Sequence, residues 1–405
     1  MHLAAEDLST LRADAQDQLP EVVALRHALH RVPELGLDLP LTQRLVLDAL
    51  APLGLEVAPG DGMSSVVAVL RGARPGPAVL LRGDMDALPV TEDTAEPFAS
   101  EHPGVMHACG HDLHTAGLVG AARLLAARRE RLAGSVVFMF QPGEEGPGGA
   151  EPMIADGVLD AAGERVVGAY GLHVMSSVLP TGLVAGRPGT MLAAADSVRV
   201  TVHGRGGHGS MPHLALDPVP VAAEIVLALQ AMVTRQFDAF DPVVVTVGRI
   251  AAGTADNVIS SSAVIDATVR TFSEAVHHRV PDRLRRVCEG VAAAHGLTVT
   301  VDYQPGYPVT VNRPEENDRA RELTTGLFGE RAWLDAPQPI AGAEDFSYVL
   351  EQVPGVYLGL GATPPGADPV TAAYNHSPQA RFADEALAVG PAVLAALAWD
   401  RLAQG

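Results

Sequence analysis

The stretch HACGHDLHTAGLVGAARLLAARRERLAGSVVFMFQPGEE, residues 107–145, decides the fold because it carries three signals in order. It opens with histidines and a cysteine, continues into an apolar helical pattern over 112–133, and reaches the apolar run VVFMF at 136–140. A helix followed by a short, fully apolar strand is typical of a parallel sheet covered by helices. The two glutamates after the strand lie where open α/β sheets bind ligands, beyond the carboxyl end of a strand.

The same alternation of helical and strand patterns extends on both sides of this stretch. Helical patterns occur over 20–32, 41–53, around 315–328 and around 384–402. Short apolar runs that predict buried strands are VVAVL at 66–70, AVLLR at 78–82 and VVGAYGL at 166–172. Together these patterns predict an α/β fold whose main domain has a mostly parallel sheet with helices on both faces.

A different pattern begins near Gly186–Gly189 and predicts a second, inserted domain. Over 188–308 the strand and helix patterns follow the order β-α-β-β-α-β, which is ferredoxin-like. The run VRVTVHG at 198–204 alternates apolar and polar side chains, as a sheet with one wet face requires. We therefore predict a discontinuous first domain, residues 1–187 and 309–405, interrupted by an α+β domain over 188–308.

The charge balance excludes several classes of protein. The chain has 28 basic and 48 acidic residues and a formal net charge of −20, a field that repels nucleic acid and anionic membranes. All the basic residues are arginines, so mechanisms that need a lysine, such as a Schiff base or a phosphate-binding loop, are excluded. The sequence has no G-x-S-x-G turn, which disfavours a serine hydrolase.

The N-terminal sequence and the cysteines bear on location. Residues 1–22, MHLAAEDLSTLRADAQDQLPEV, are acidic and polar and lack the basic and apolar regions of a secretory signal. No apolar run approaches the ~18 residues of a membrane span. Cys109 and Cys288 are the only cysteines, too few for a disulfide framework. We expect a cytoplasmic protein with no membrane partner.

The stretch HACGHDLH contains the first chemical signal. His107, Cys109, His111, Asp112 and His114 fall within eight residues. A single histidine is most often structural, but thiolate, imidazole and carboxylate together are the usual donors to transition metals. The cluster therefore predicts a metal site.

Further donors follow predicted strands at distant places in the chain. They are Asp84 and Asp86 in RGDMDALP, Glu144 and Glu145 in GEEGPGG, His173 in GLHV, and His376 in AAYNHSP. Paired acids are common on protein surfaces, so none of these motifs alone indicates a site. Because the carboxyl ends of parallel strands meet at one edge of a sheet, we expect these side chains to converge.

This mixture of side chains suits two divalent cations that activate one water molecule. Two cations ~3.5–4 Å apart can polarise a carbonyl group, and metal binding lowers the pKa of water from ~15.7 towards ~7. A carboxylate outside the metal ligands must then take the proton and pass it to the leaving amine. Adjacent acids fit this division of roles, since one can bind metal while the other faces the water.

Six motifs, read in order along the chain, closely resemble one family over about residues 20 to 400. They are HACGHD, PGEE, GRGGHGSMPH, ADNVI, GAEDFS and NHSP. The family is the co-catalytic metallopeptidases that include aminoacylases, carboxypeptidase G and succinyl-diaminopimelate desuccinylase. Within it, the chain looks most like the amidohydrolase branch of hippurate hydrolase and the plant indole-acetyl-amino-acid hydrolases.

The resemblance implies a role for each donor of the first domain. Five side chains would hold the two metal ions, with Cys109 bridging, His111 and His173 on one ion, and Glu145 and His376 on the other. Glu144 would be the general base and acid, and Asp86 would orient a metal-binding imidazole. Asp84 stands where other branches have a metal-binding histidine, and this loss fits the branch that recruits His111 instead.

The resemblance also assigns residues of the inserted domain, which would be a lid and dimerisation domain. His208 would donate to the developing oxyanion, and Asn257 would also reach the site. In relatives, the histidine and the asparagine come from the partner subunit of a homodimer. Arg270 would hold the substrate carboxylate, because a guanidinium group matches it with two hydrogen bonds.

The expected reaction is hydrolysis of an N-acyl-L-amino acid to a carboxylate and a free amino acid. The expected cofactors are two Zn²⁺ or Mn²⁺ ions, since a thiolate favours zinc while relatives often work with manganese. One alternative is a dipeptidase or carboxypeptidase on the same scaffold. A second is an inactive homologue that binds metal, and the acyl group is left open.

Overall fold

A computed structural model describes residues 3–404. The chain forms two compact units, the first made of Met1–Gly189, Val311–Pro337 and Tyr348–Gly405, and the second of Thr190–Thr310 and Gln338–Ser347. The domain assignment made from the sequence stays a prediction, and the units differ from it in placing 338–347 with the second. The first and last residues of the predicted domain boundaries, 1 and 405, lie outside the described residues.

The first unit is built on an eight-stranded sheet in the order β1-β2-β4-β3-β5-β16-β6-β15. Its strands are β1 Glu56–Pro59, β2 Val66–Arg71, β3 Arg74–Asp84, β4 Ala133–Gln141, β5 Val166–Met175, β6 Val184–Gly186, β15 Trp333–Asp335 and β16 Gly355–Gly361. The four central strands, β4, β3, β5 and β16, are mutually parallel. The mostly parallel sheet expected from the sequence is therefore confirmed.

The helices of the first unit pack on this sheet or on one another. They are α1 Ala5–Asp17, α2 Leu19–Arg31, α3 Pro40–Leu50, α4 His111–Ala126, α5 Ala150–Ala155, α9 Pro314–Phe328, α10 Ser347–Gln352 and α11 Gly390–Leu402. Helices α4 and α11 are buried along nearly their whole length, which explains their uniformly apolar sequences. The core between them and the sheet contains Leu81, Val136, Phe138, Leu118 and Leu394.

The helix predicted over 112–133 ends earlier than expected. Helix α4 stops at Ala126, a short 3-10 turn covers Arg129–Arg131, and β4 already begins at Ala133. The prediction was wrong at this end because the arginine-rich segment after Ala126 continues the polar pattern of a helix surface. In the structure, Arg128 instead donates to the Leu124 carbonyl and pairs with Asp14.

The second unit is an antiparallel four-stranded sheet in the order β10-β12-β8-β13. The strands of this sheet are β8 Ala194–His203, β10 Val243–Ala252, β12 Ser262–Thr271 and β13 Thr298–Tyr307. Four short strands form two further pairs, β9 Gly207–His208 with β11 Val258–Ile259, and β7 Gly189–Leu192 with β14 Thr310–Asn312. Its helices are α6 Pro218–Gln236, α7 Glu274–His277 and α8 Val280–Ala294. Strand order and connections confirm the ferredoxin-like pattern.

Helix α6 is long and apolar enough, by length and composition, to cross a membrane. In the structure one face of it packs on the four-stranded sheet through Val221, Ile225, Leu229 and Met232. Such a helix is explained as part of the core of the second unit.

Candidate metal centre

Four neighbouring parallel strands deliver the predicted metal-binding residues to one edge of the large sheet. Asp84 ends β3, Glu144 and Glu145 follow β4, and His173 lies near the end of β5. His376 lies in the loop after β16. The convergence predicted from the strand ends therefore occurs, because adjacent parallel strands bring their carboxyl ends together.

Two groups of three donor atoms share the sulfur of Cys109. Cys109, His111 and His173 form one group, and Cys109, Glu145 and His376 form the other, with the atoms of each group within 4.8 Å of one another. The Cys109 sulfur lies 3.3 Å from His173 Nε2 and 3.2 Å from His376 Nε2. His376 Nε2 also lies 3.2 Å from a Glu145 oxygen. These distances make one compact centre.

His111 is surrounded by carboxylates. It is fully buried, and its ring nitrogens lie 3.4 Å from Asp86, 3.6 Å from Asp84 and 3.8 Å from Glu145. Burial alone would lower the pKa of His111, but Asp84 foremost, and then Asp86, raise it well above its usual value. Among residues 3–404 neither ring nitrogen makes a hydrogen bond; Nδ1 faces Asp86, and Nε2 faces Glu145, so Nε2 is the nitrogen that could bind a cation after losing its proton.

Burial sets the protonation of the other donors. It raises the pKa of the Cys109 thiol to about 12, which leaves the sulfur protonated until a metal displaces the proton. Burial, together with the imidazoles of His114 and His111, lowers the pKa of His173 to about 3. His173 is therefore neutral, which is the form that binds metal.

Asp86 fixes the position of both glutamates. Its two carboxylate oxygens accept the backbone N–H groups of Glu144 and Glu145, each at 3.0 Å. The same carboxylate contacts His111, so one buried side chain links β3, α4 and the loop after β4. Glu144 is buried, and Glu145 is partly exposed.

A glycine-rich loop follows the two glutamates and turns back sharply. At Gly149 a Cβ atom would lie 1.8 Å from the Pro142 carbonyl oxygen, so only glycine fits there. At Gly146, in the same loop, a Cβ atom would meet nothing within 4 Å. The tight approach at Gly149 therefore holds the loop against the end of β4.

Both ring nitrogens of His114 make hydrogen bonds within the protein. The Val174 backbone N–H donates to Nε2 at 2.8 Å, which leaves the proton on Nδ1, where it is donated to Asp84 at 2.5 Å. Asp84 also accepts from Arg82 at 2.6 Å. Asp84 is thus held by two donors behind the centre. Asp84, His111 and His114 also form a group of donor atoms that lie within 4.8 Å of one another.

A second buried network supports the start of α4 from behind. Asp112, next to His111 in the chain, accepts from Arg26 at 3.0 Å and lies 2.9 Å from His30 Nδ1. Arg26 also donates a hydrogen bond to Asp384, and His30 Nε2 lies 3.3 Å from a Glu92 oxygen. Sequence reasoning counted Asp112 only as a possible donor, because the basic partners on α2 are about 80 residues away in the chain.

His107 is buried beside this network and outside the metal centre. Both of its ring nitrogens lack a hydrogen-bond partner in the part of the chain that the structure describes. Burial lowers the pKa of His107 to about 3, so the ring is neutral. It lies 6.1 Å from the His30 ring.

In the second unit, His208 and Asn257 are neighbours. His208 in β9 pairs with Val258 in β11, and the Gly209 N–H donates to the Asn257 carbonyl at 2.8 Å. Both side chains are exposed. Arg270 lies apart from them on β12, opposite Ala195 and Val244, and is partly exposed.

Comparisons with known proteins identify the family. Residues 80–400 match the model of peptidase family M20/M25/M40, and the chain belongs to that family. It is 38% identical to thermostable carboxypeptidase 1 of Saccharolobus solfataricus, over 87% of this chain and 88% of the relative. It is 37% identical to the N-acetyl-L-cysteine deacetylase of Bacillus subtilis, over 84% and 80% respectively.

A solved structure extends the likeness to three dimensions. The Bacillus subtilis YXEP protein, described as a dinuclear metal-binding peptidase of the M20 family, superposes with a TM-score of 0.83 at 32% identity. The match covers 96% of this chain and 99% of that one. The present protein is therefore a hydrolase of this family that acts on amide bonds, as the sequence motifs implied.

Proposed function

We propose that the protein is an N-acyl-L-amino-acid amidohydrolase that releases a carboxylate and a free amino acid. The observation that carries the proposal is the pair Glu144 and Glu145 beside His111, with Glu145 also beside Cys109. Their backbones are fixed by one carboxylate, and their side chains belong to donor groups around the same centre. A relative that removes the acetyl group of N-acetyl-L-cysteine supports this class of substrate.

The donor groups fit two divalent metal ions. Cys109 would bridge them, His111 and His173 would complete one set of ligands, and Glu145 and His376 would complete the other, consistent with the two groups that share the sulfur. We propose Zn²⁺ or Mn²⁺, because soft thiolate and borderline imidazole ligands suit the former and carboxylates the latter. When bound, the ions supply an acidified water and polarise the amide carbonyl.

Glu144 would carry the proton. Its carboxylate takes a proton from the attacking water and gives it to the amide nitrogen, so the amine leaves neutral. Burial of Glu144 keeps bulk water away from this transfer.

Three residues of the second unit would complete substrate recognition. The Ser210 N–H donates to His208 Nδ1 at 3.1 Å, so the proton of a neutral ring lies on Nε2, which is then a donor for an oxyanion. Asn257 would assist it, and Arg270 would bind the carboxylate of the amino-acid product. These assignments rest on the motifs and on the tautomer of His208.

We also propose a homodimer formed through the second unit, with the boundaries 188–308 for this lid domain. Strand β10 is an edge of its sheet and exposes Val244 and Ile250, while α6 exposes Leu227. An unpaired apolar edge of this kind favours pairing with a second chain. Sedimentation of the purified protein should give a dimer mass, and a monomer at micromolar concentration would contradict this part.

Glu144→Gln tests the central role. The variant keeps the size of the side chain but cannot accept a proton, so turnover of an N-acyl amino acid should fall at least about 100-fold. Metal content, measured by elemental analysis, should be unchanged. Glu151→Gln makes the same chemical change at an exposed position and should behave as wild type. Near-normal turnover of Glu144→Gln would show that another group moves the proton.

A carboxypeptidase activity is the second candidate, because a relative of similar identity bears that name. Hippurate, N-acetyl amino acids and dipeptides should be assayed side by side with the metal-loaded protein. The proposal predicts higher kcat/KM for N-acyl amino acids than for dipeptides. No turnover of any substrate with full metal loading would instead indicate an inactive metal-binding homologue.

A further inference from the structure

We infer that Asn375 is a positioning residue that holds Cys109, His173 and His376 in one metal-binding arrangement. The inference deepens the proposed function and depends on the metal centre described there. Asn375 is 9% exposed and precedes His376 directly in the chain. Its own side chain is not among the donor groups of the centre, so its effect must come through the ligands.

Hydrogen bonds engage both ends of the Asn375 amide group. Its Nδ2 donates to the Cys109 carbonyl at 3.1 Å and to the Val174 carbonyl at 3.0 Å. Its Oδ1 accepts the Ser176 backbone N–H at 3.0 Å and lies 3.0 Å from the Ser176 hydroxyl, whose single proton is nearer to the Ala373 carbonyl at 2.8 Å. Both N–H donors of the amide and at least one lone pair of its oxygen are therefore satisfied.

These bonds connect the three chain segments that bring ligands from far apart. The Cys109 segment is 266 residues from Asn375 in the chain, and the β5 segment with Val174 and Ser176 is about 200 residues away. Val174 follows His173, and Cys109 is itself the shared ligand. One side chain therefore fixes the backbone at two ligand segments while its own backbone leads into the third ligand.

The backbone of His376 shows why such a clamp is needed. The backbone φ of His376 is +73°, in the left-handed region that residues other than glycine rarely adopt. Its N–H donates to the Ala108 carbonyl at 2.8 Å, next to Cys109. A disfavoured conformation persists only where its surroundings determine it, and the Asn375 bonds supply that restraint.

The pattern of bonds requires an amide at this position. Aspartate has the same shape, but it would place an oxygen against the carbonyls of Cys109 and Val174, which need donors. Alanine would remove the donor to the Cys109 carbonyl and the acceptor of the Ser176 N–H in a buried place, and would leave the Val174 carbonyl with the His173 ring alone. Either change should let the three ligand segments separate.

Asn375→Asp should therefore bind metal about 10- to 100-fold more weakly than wild type, which is the usual effect of losing a group that orients ligands. The measurement is competition for Zn²⁺ and for Mn²⁺ against a chromophoric chelator. The thiolate-to-metal charge-transfer band of the Co²⁺-substituted protein gives a second, independent readout of the geometry at Cys109. The band should shift or weaken in the variant.

Asn312→Asp is the matched control. Asn312 is fully buried and also uses its amide on the backbone, donating to the carbonyls of Arg187 and Tyr357 and accepting the Tyr357 N–H at 2.7 Å. The Asn312→Asp variant should lose about as much stability as Asn375→Asp. It should nevertheless keep the metal affinity and the cobalt spectrum of wild type. Ser176→Ala removes the hydroxyl that lies between Ala373 and Asn375 but keeps the Ser176 N–H bond to Asn375, so it should give a smaller loss of affinity, which keeps the test open if Asn375→Asp does not fold.

The outcomes separate the two claims. If Asn375→Asp and Ser176→Ala bind both metals like wild type with an unchanged cobalt spectrum, Asn375 only stabilises the fold and the inference is wrong. If wild type itself binds no metal and gives no thiolate band, the metal centre of the proposed function is wrong.

Discussion

At the scale of single residues, the buried thiol of Cys109 links metal binding to proton release. Its pKa of about 12 keeps it protonated at neutral pH, whereas a metal binds the thiolate. The raised pKa of His111 adds a second proton that a metal must displace. Binding of a cation at this centre should therefore release the protons of Cys109 and His111.

Proton release on metal binding is the first prediction. Calorimetric titration of the metal-free protein with Zn²⁺ at pH 7, in buffers of different ionisation enthalpy, should show release of at least one proton. Cys109→Ser should release fewer protons and bind more weakly. Cys288→Ser, which changes a buried thiol in the second unit, should match wild type. A binding enthalpy independent of the buffer would contradict the protonated thiol.

His30 gives the stability of the protein a pH dependence. Burial opposes its charge, but Asp112 raises its pKa from 6.5 to about 9. A group whose pKa is raised on folding stabilises the folded state fully below its unfolded pKa, and loses this effect as pH rises through its folded value. The contribution of His30 is therefore present below about pH 6.5 and gone above about pH 9.

The second prediction compares wild type with His30→Gln in urea unfolding of the metal-free protein. The free energy of unfolding of wild type should exceed that of the variant by roughly 3 kcal/mol more at pH 6 than at pH 9.5. The metal ligands contribute the same pH dependence to the free energy of unfolding of both proteins, so their contributions largely cancel in the difference. A difference that stays constant over this range would mean that the His30–Asp112 pair does not titrate as the structure indicates.

At the scale of elements, the loop after β4 places Glu144 and Glu145 by backbone geometry. Gly149 brings the loop back within contact of Pro142, and Asp86 accepts the two N–H groups at its start. The loop therefore has little freedom where the chemistry requires fixed side chains.

The third prediction uses the two glycines of this loop. Gly149→Ala forces the loop away from Pro142 and should lower kcat on an N-acyl amino acid at least about tenfold, since small displacements of reacting groups are costly. Gly146→Ala has open space and should leave the melting temperature and metal content unchanged. If Gly149→Ala keeps wild-type kcat, metal content and stability, the close approach does not position the glutamates.

At the scale of the whole molecule, the sequence predicted the order of layers and the convergence of the site. Strand runs such as 136–140 and 166–172 lie inside β4 and β5, because buried parallel strands are marked by unbroken apolar residues. The alternation at 198–204 likewise predicted β8. The parallel sheet then explains why Asp84, Glu144 and His173 meet.

Contacts between distant side chains were not predictable in this way. Asn375 stood in the quoted motif NHSP, but nothing in its neighbours reveals that it bonds to Ser176 and Cys109, which are 199 and 266 residues away in the chain. The partners of Asp112 on α2 were hidden for the same reason. The end of α4 was missed because charged arginines fit both a helix surface and the turn that replaces it.

Anomalous X-ray diffraction from crystals of the purified protein, loaded with Zn²⁺ or Mn²⁺, would locate the metal ions of the proposed centre. We expect two anomalous peaks, both within bonding distance of the Cys109 sulfur, one next to His111 and His173 and the other next to Glu145 and His376. Glu144 should bind neither ion. A single peak, peaks away from Cys109, or an ion bound directly by Glu144 would show that the proposed metal centre is wrong.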